Sequence, residues 1–226
     1  MITVVQAVFY GGDKAIKKIV NQPSFEGVEY KLLTNKPELA YSTNWDVILT
    51  ETENPRLKAR EAKINIHTLF PKSDYWFWID ANMKIVEDPN ILVKKYLNNF
   101  DICLLPHPER THWVEEANFL VNRDHQLKPY LEKAIKKYTA DGFPSISLFE
   151  TGVLLRRNTA KIKHLNEIWM NEIHHTCIRD QISFPYSAWK AGVAVNTFPG
   201  TNSVNRLRYE SKPYLPQWTE VIRDWN

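Results

Sequence analysis

The chain has 226 residues, enough for one sizeable core with at most a small annex. Its 29 Lys and Arg against 26 Asp and Glu leave a net charge of +3, which excludes a general affinity for nucleic acid or acidic membrane. Thirteen prolines, seven glycines, eight tryptophans and ten tyrosines describe a rigid, aromatic-rich globular protein, and two cysteines make no disulfide framework.

Residues 2–9 read as a first strand, without the basic start of a signal peptide, and no apolar run reaches membrane-spanning length. The expectation is a cytoplasmic protein, or a soluble catalytic domain excised from a larger one. The turn Tyr10-Gly11-Gly12-Asp13 follows, then a helix over about 14–21. Strands are expected at 30–33 and 45–49, and Asn54-Pro55 supplies an N-cap and a first-turn proline for a helix running to Phe70. Tyr75-Trp76-Phe77-Trp78-Ile79 is bulky on both faces, as a central strand buried on both sides must be. This β-α-β order predicts a mostly parallel, doubly wound α/β sheet. Beyond it the expected elements are a helix capped by Asp88, a strand at 101–105 with Cys103 buried, and helices near 113–122 and 126–139. A strand at 152–155, a helix from Asn158 or Thr159 to about His174, and a last strand at 192–198 complete the series. One domain over 1–226 is expected, with a nucleotide-binding half to about 100, an acceptor and catalytic half to about 200, and an irregular tail.

The aromatic strand runs straight into Asp80-Ala81-Asn82. A carboxylate at the end of a buried strand is costly unless its charge is used, and ligands of open α/β sheets bind at that end. In extended chain Asp80 and Asn82 point the same way, a short oxygen chelate for a hard cation such as Mn²⁺ or Mg²⁺; the alternative is an Asx turn. Arg56, Arg60, Lys63 and His67 fall on one helical stripe leading to this strand, and Arg60 and Lys63 are the candidate contacts for a diphosphate. Tyr10, Gly11 and Asp13 sit where a nucleotide base rests against a first strand, although a plain turn explains them as well. His107 and Arg110 belong to a loop read as substrate-contacting rather than as a zinc site. Glu150 and Gly152 could approach a sugar, or mark a helix-to-strand turn. Asp180 is read first as a helix N-cap, a role compatible with reaching an acceptor hydroxyl.

Phe70-Pro71, Tyr75-x-x-Trp78-Ile79-Asp80-Ala81, Asp88-Pro89, His107-Pro108-x-Arg110, Glu115-Glu116-Ala117, Glu150-x-Gly152-Val153, Arg156 and Arg179-Asp180-Gln181-x-Ser183-Phe184 together resemble the TOD/MUCI70-type glycosyltransferase-like domain. The resemblance implies a GT-A fold and transfer of a sugar, hexosyl or deoxyhexosyl, from a nucleoside diphosphate, UDP in the first instance, to a glycan or other hydroxyl acceptor. It makes Asp80 and Asn82 the D-x-D metal site with Ala81 between them. Asp180 and Gln181 then face the sugar's reacting carbon, and Glu150 is a further candidate there. Two departures stand out: Asn82 is a neutral ligand, and the last histidine is His175, leaving Asn202, Asn205, Tyr209 and Glu210 in the tail. If transfer inverts the anomeric centre, Asp180 is the candidate base; the Asp-Gln pair resembles retaining enzymes and leans the reading toward retention. Alternatives are a haloacid-dehalogenase-like phosphatase, whose nucleophile strand also ends in Asp-x-Asx, and a non-catalytic nucleotide-sugar-binding module. Donor sugar, acceptor and oligomeric state are not set by the sequence.

Overall fold

The computed structural model describes residues 1–11, 19–144, 146–200 and 219–221. The described strands are β1 (Ile2–Val8), β2 (Val28–Thr34), β3 (Asp46–Leu49), β4 (Tyr75–Ile79), β5 (Met83–Ile85), β6 (Ile102–Pro106), β7 (Phe149–Arg157), β8 (Asn196–Thr197) and β9 (Thr219–Val221). The helices are α1 (Pro55–Ile64), α2 (Ile66–Leu69), α3 (Pro89–Tyr96), α4 (Trp113–Arg123), α5 (Lys128–Ala140), α6 (Ala160–His175) and α7 (Asp180–Lys190).

Seven strands form one sheet in the order β3-β2-β1-β4-β7-β6-β8. Four of its pairings are parallel, and β7 runs antiparallel to both neighbours, β4 and β6. The continuous apolar run of β4 places it mid-sheet, where alternate side chains enter two cores. Trp76 and Trp78 pack with Ala62 and Ile64 of α1 and Leu165 and Trp169 of α6. Phe77 and Ile79 pack on the other face with Leu92, Val93 and Tyr96 of α3. Each such fully buried side chain contributes about 1.5–3 kcal/mol. A third cluster joins α4, α5 and α7 through Trp113, Tyr138 and Tyr186, the two tyrosine rings stacked 4.0 Å apart.

Three of the expected caps form. Asn54 accepts from Leu57 N–H, Asp88 from Asn90 N–H and Thr159 from Ile162 N–H. Several bounds differ. The helix expected to reach Phe70 ends at Ile64, and Asn65 separates it from the single turn α2. The strand expected at 152–155 spans nine residues, and that at 192–198 shrinks to two. Within the tail expected to be irregular, residues 219–221 form β9, antiparallel to β5. The helix expected over 14–21 falls largely outside the described residues.

Candidate active site

Asp80 leaves β4 at the end of the sheet where the parallel strands finish. Its N–H donates to the Gly152 carbonyl (2.7 Å), and its own carbonyl accepts from Gln6 Nε2 (3.1 Å) and from Met83 N–H (2.9 Å). The last bond closes a tight turn over Ala81 and Asn82, so the extended geometry expected for an Asp80–Asn82 chelate is replaced by a turn. The carboxylate points to the Trp78 side of the sheet, where its Oδ1 accepts from the indole Nε1 (2.9 Å). The Lys63 ammonium lies 3.4 Å from the same oxygen. The side chain remains 45% exposed.

Lys63 itself is 2% exposed, which a lysine tolerates only with its charge matched. Its Nζ donates to Asp180 Oδ2 (2.9 Å), and the same oxygen accepts from Thr151 Oγ1 (2.8 Å). Arg60 Nε stands 3.3 Å from Asp180 Oδ1 in an ion pair without hydrogen-bond alignment. Asp180 is therefore not the N-cap expected from sequence. Arg179 takes that position, Asp180 opens α7, and its carboxylate turns inward, beside the positive end of the helix. Burial pushes this carboxyl up, but Lys63 and Arg60, with Arg179, outweigh burial and hold it well below the usual carboxylate range.

Beneath the cluster, Arg156 of β7 is fully buried. Its Nη2 donates to the Lys63 carbonyl (2.7 Å) and its Nη1 to Asn166 Oδ1 (3.0 Å). Burial pushes its guanidinium down to about 9, which leaves it cationic at neutral pH. The last turn of α1 is thus fixed to β7, and the foot of Lys63 with it.

Between these groups lies a polar pocket of about 180 Å³. Arg60, Lys63, Asp80 and Asp180 line it together with Glu150, Thr151 and Gly152 from the start of β7 and Arg179 and Gln181 around the start of α7. Arg179 Nε and Gln181 Oε1 are buried here with no hydrogen-bond partner among the described residues. Arg60 Nε, ion-paired but not hydrogen-bonded, is a third; buried polar atoms are normally satisfied, so three orphans on residues lining one pocket are what a site made for a polar ligand leaves behind.

Other predicted residues stand apart. Tyr10 exchanges backbone bonds with the Asn35 amide (2.9 Å each way), and its ring packs against the core beside β1. A Cβ at Gly11 would come 2.8 Å from Pro55 Cγ, so this glycine is required by the approach of α1. Asp13 lies outside the described residues. His107 accepts the Glu109 and Arg110 N–H groups at Nδ1 (3.3 and 3.1 Å). Arg110 donates to buried Glu116 (2.7 Å) and lies over the Phe119 ring, 3.8 Å from its centre. Glu116 also faces Arg179 Nη2 at 3.7 Å, which links this loop to the pocket without placing His107 or Arg110 in its lining. Thr151 and Arg179 received no role from the sequence; their only signal was adjacency to Glu150 and Asp180. His67, on the expected cationic stripe, bonds Asn166 instead (3.2 Å), and burial lowers its pKa.

For a cation, Asp80 supplies one carboxylate to the pocket lining, and Asn82 lies two residues on in the turn that follows, outside that lining. No group of three His, Cys, Asp or Glu positioned to hold a metal occurs among the described residues. Such a pair suits a hard ion that takes most of its ligands from water and diphosphate oxygens.

The model of the TOD1/MUCI70 glycosyltransferase-like domain matches residues 25–205. The chain belongs to that family. It is 25% identical over 172 residues to alkaline ceramidase TOD1 of Arabidopsis thaliana, covering 69% of this chain and 37% of the relative. It is 26% identical over 154 residues to probable hexosyltransferase MUCI70 of the same plant, covering 62% and 26%. The chain therefore spans well under half the length of either relative. Among solved structures, apo mouse xyloside xylosyltransferase 1 matches with a TM-score of 0.50 at 11% identity, over 93% of this chain and 91% of that one. The apo WbbM bifunctional glycosyltransferase matches with a TM-score of 0.50 at 12% identity, over 88% and 38%. At such identities the likeness is one of fold, and the fold is GT-A. Among the described residues no helix is long and apolar enough to cross a membrane.

Proposed function

We propose that this domain is a metal-assisted glycosyltransferase that moves a sugar from a nucleoside diphosphate, UDP in the first instance, to a hydroxyl of a glycan or glycoconjugate. The observation that carries the reading is the buried Lys63 ammonium joining Asp80, at the end of the central strand, to Asp180, at the start of α7. That arrangement gathers two carboxylates around one buried ammonium in the lining of a polar pocket of about 180 Å³. Family membership supports transfer over phosphatase chemistry.

Asp80 and Asn82 would hold Mn²⁺ or Mg²⁺, which when bound neutralises charge developing on the leaving diphosphate. Lys63 and Trp78 hold the Asp80 carboxylate in place. Lys63 shares its charge between two acids, so the groups available to phosphate oxygens are the guanidiniums of Arg60 and Arg179, ion-paired at 3.3 and 3.7 Å respectively but each with its Nε free of hydrogen bonds among the described residues. Breaking the anomeric bond puts positive character on the sugar, which the fixed charge of Asp180 stabilises. Asp180 is a poor proton acceptor, because Lys63, Thr151 and Arg60 all stabilise its ionised form. This favours retention, with the leaving diphosphate taking the acceptor proton; if transfer inverts, Glu150 is the further carboxylate in the pocket lining that can act as base.

Calorimetry with UDP and Mn²⁺ tests the reading. Asp80→Ala should abolish metal-dependent UDP binding and turnover while the fold persists, at a cost of about 1–2 kcal/mol for the Trp78 bond. Unchanged, metal-dependent affinity would remove the metal assignment. The relative named a ceramidase motivates a parallel assay: release of fatty acid from ceramide, without release of nucleoside diphosphate from any nucleotide sugar, would replace transfer by amide hydrolysis.

A further inference from the structure

Beside the candidate active site opens a larger recess, of about 850 Å³, between the first turns of α1 and α5 and the last turn of α6. Its lining carries Arg56, Lys133, His174 and His175, and no Asp or Glu. Arg56 is exposed and pairs with no carboxylate among the described residues. Lys133 donates to the His175 carbonyl (2.6 Å), which holds its ammonium over the end of α6 and offsets the negative end of that helix. Between these groups the walls are apolar, and the Tyr130 ring is 53% exposed.

The recess and the active-site pocket adjoin along two segments. Arg56 stands one helical turn before Arg60 on α1, and Ile178 of the recess immediately precedes Arg179 of the pocket. A molecule lying in the recess can therefore extend one end toward Asp180.

We propose that this recess is the acceptor subsite and that the acceptor it takes is a saccharide bearing carboxylate groups. The inference rests on the glycosyltransferase reading and names its second substrate class. Tyr130 and the apolar walls suit the C–H faces of sugar rings. Arg56 offers the forked geometry that binds a carboxylate through two parallel bonds, and Lys133 adds a point charge. A neutral glycan would leave the Arg56 guanidinium without a charged partner.

The test is calorimetry on the intact chain at near-physiological salt with four probes: a short oligoglucuronate, the neutral oligoglucoside of equal length, inorganic phosphate, and UDP with Mn²⁺. Wild type should bind the oligoglucuronate and not the neutral chain. The double variant Arg56→Glu/Lys133→Glu, altered only at exposed side chains, should lose about tenfold or more of that affinity while UDP binding is unchanged. Tyr130→Ala should weaken the oligoglucuronate alone. Equal binding of the neutral chain, oligoglucuronate affinity that survives charge reversal, or binding of inorganic phosphate without the oligoglucuronate would each overturn the proposal. UDP reports separately on the transferase pocket. If wild type binds the oligoglucuronate through Arg56 but never binds UDP, nor another nucleoside diphosphate put in its place, the transferase reading fails and the acceptor role fails with it. If UDP binds and the oligoglucuronate does not, only the acceptor inference falls.

Discussion

Replacing Asp180 by alanine should destabilise the domain by about 3–5 kcal/mol, the cost of breaking a buried ion pair from one side. Lys63 would stay 2% exposed with a single carboxylate left, Asp80 at 3.4 Å, and Thr151 would lose its acceptor. In a domain of this size 1 kcal/mol moves the melting midpoint by about 2–4 °C, so a fall of roughly 6–20 °C is expected. Asp180→Asn keeps the volume and loses the charge, and should cost about 1.5–3 kcal/mol. Replacing both partners, Lys63→Met with Asp180→Leu, should be milder than either single change, since the buried Lys63 charge is then removed with its partner and Arg60, 20% exposed, keeps access to water. Urea melts at neutral pH measure each of these variants against wild type. The pH dependence has a fixed sign. The native carboxyl sits below its unfolded value of about 3.9, so its contribution is complete above that value and fades as pH falls toward the native one. The gap between wild type and Asp180→Asn should therefore close in acid. A loss of only about 1 kcal/mol in Asp180→Ala, the worth of a simple helix cap, would refute the buried bridge.

Asn82→Asp should tighten apparent Mn²⁺ affinity at fixed UDP, because it adds a carboxylate beside Asp80; unchanged affinity would mean the turn directs residue 82 away from the metal. Gly11→Ala should cost about 1–3 kcal/mol in a urea melt, since its Cβ would meet the rigid Pro55 ring at 2.8 Å; wild-type stability would show that the turn yields freely.

Local chemistry made much of this fold readable. The five-residue apolar run of β4 needed two cores, and Asn54, Asp88 and Thr159 had cap chemistry matching their places. The direction of β7 was not readable, because an apolar run carries no sign of whether its neighbours run with it or against it. The start of α7 was signalled at Asp180, but its extent was obscured by Pro185, which interrupts helical patterning although it lies within the helix. At the site, Asp80 and Lys63 stood out as charged residues attached to buried elements. The inward turn of Asp180 was hidden, since its partners are 117 and 29 residues away in the chain. A sequence shows which residues can cap a helix; it does not show that a lysine elsewhere will claim the carboxylate first.

The place of β7 in the sheet also has a consequence for biosynthesis. On a ribosome, β4 emerges with β1 available on one side, but the strand that covers its other edge ends about eighty residues later. At ordinary elongation rates of roughly 5–20 residues per second, an edge carrying Trp76 and Trp78 waits about 4–16 s for its partner. An uncovered, aromatic strand edge is a template for pairing with other chains. Newly made protein should therefore be most prone to aggregate, and most dependent on chaperones, in the interval before Arg157 leaves the tunnel.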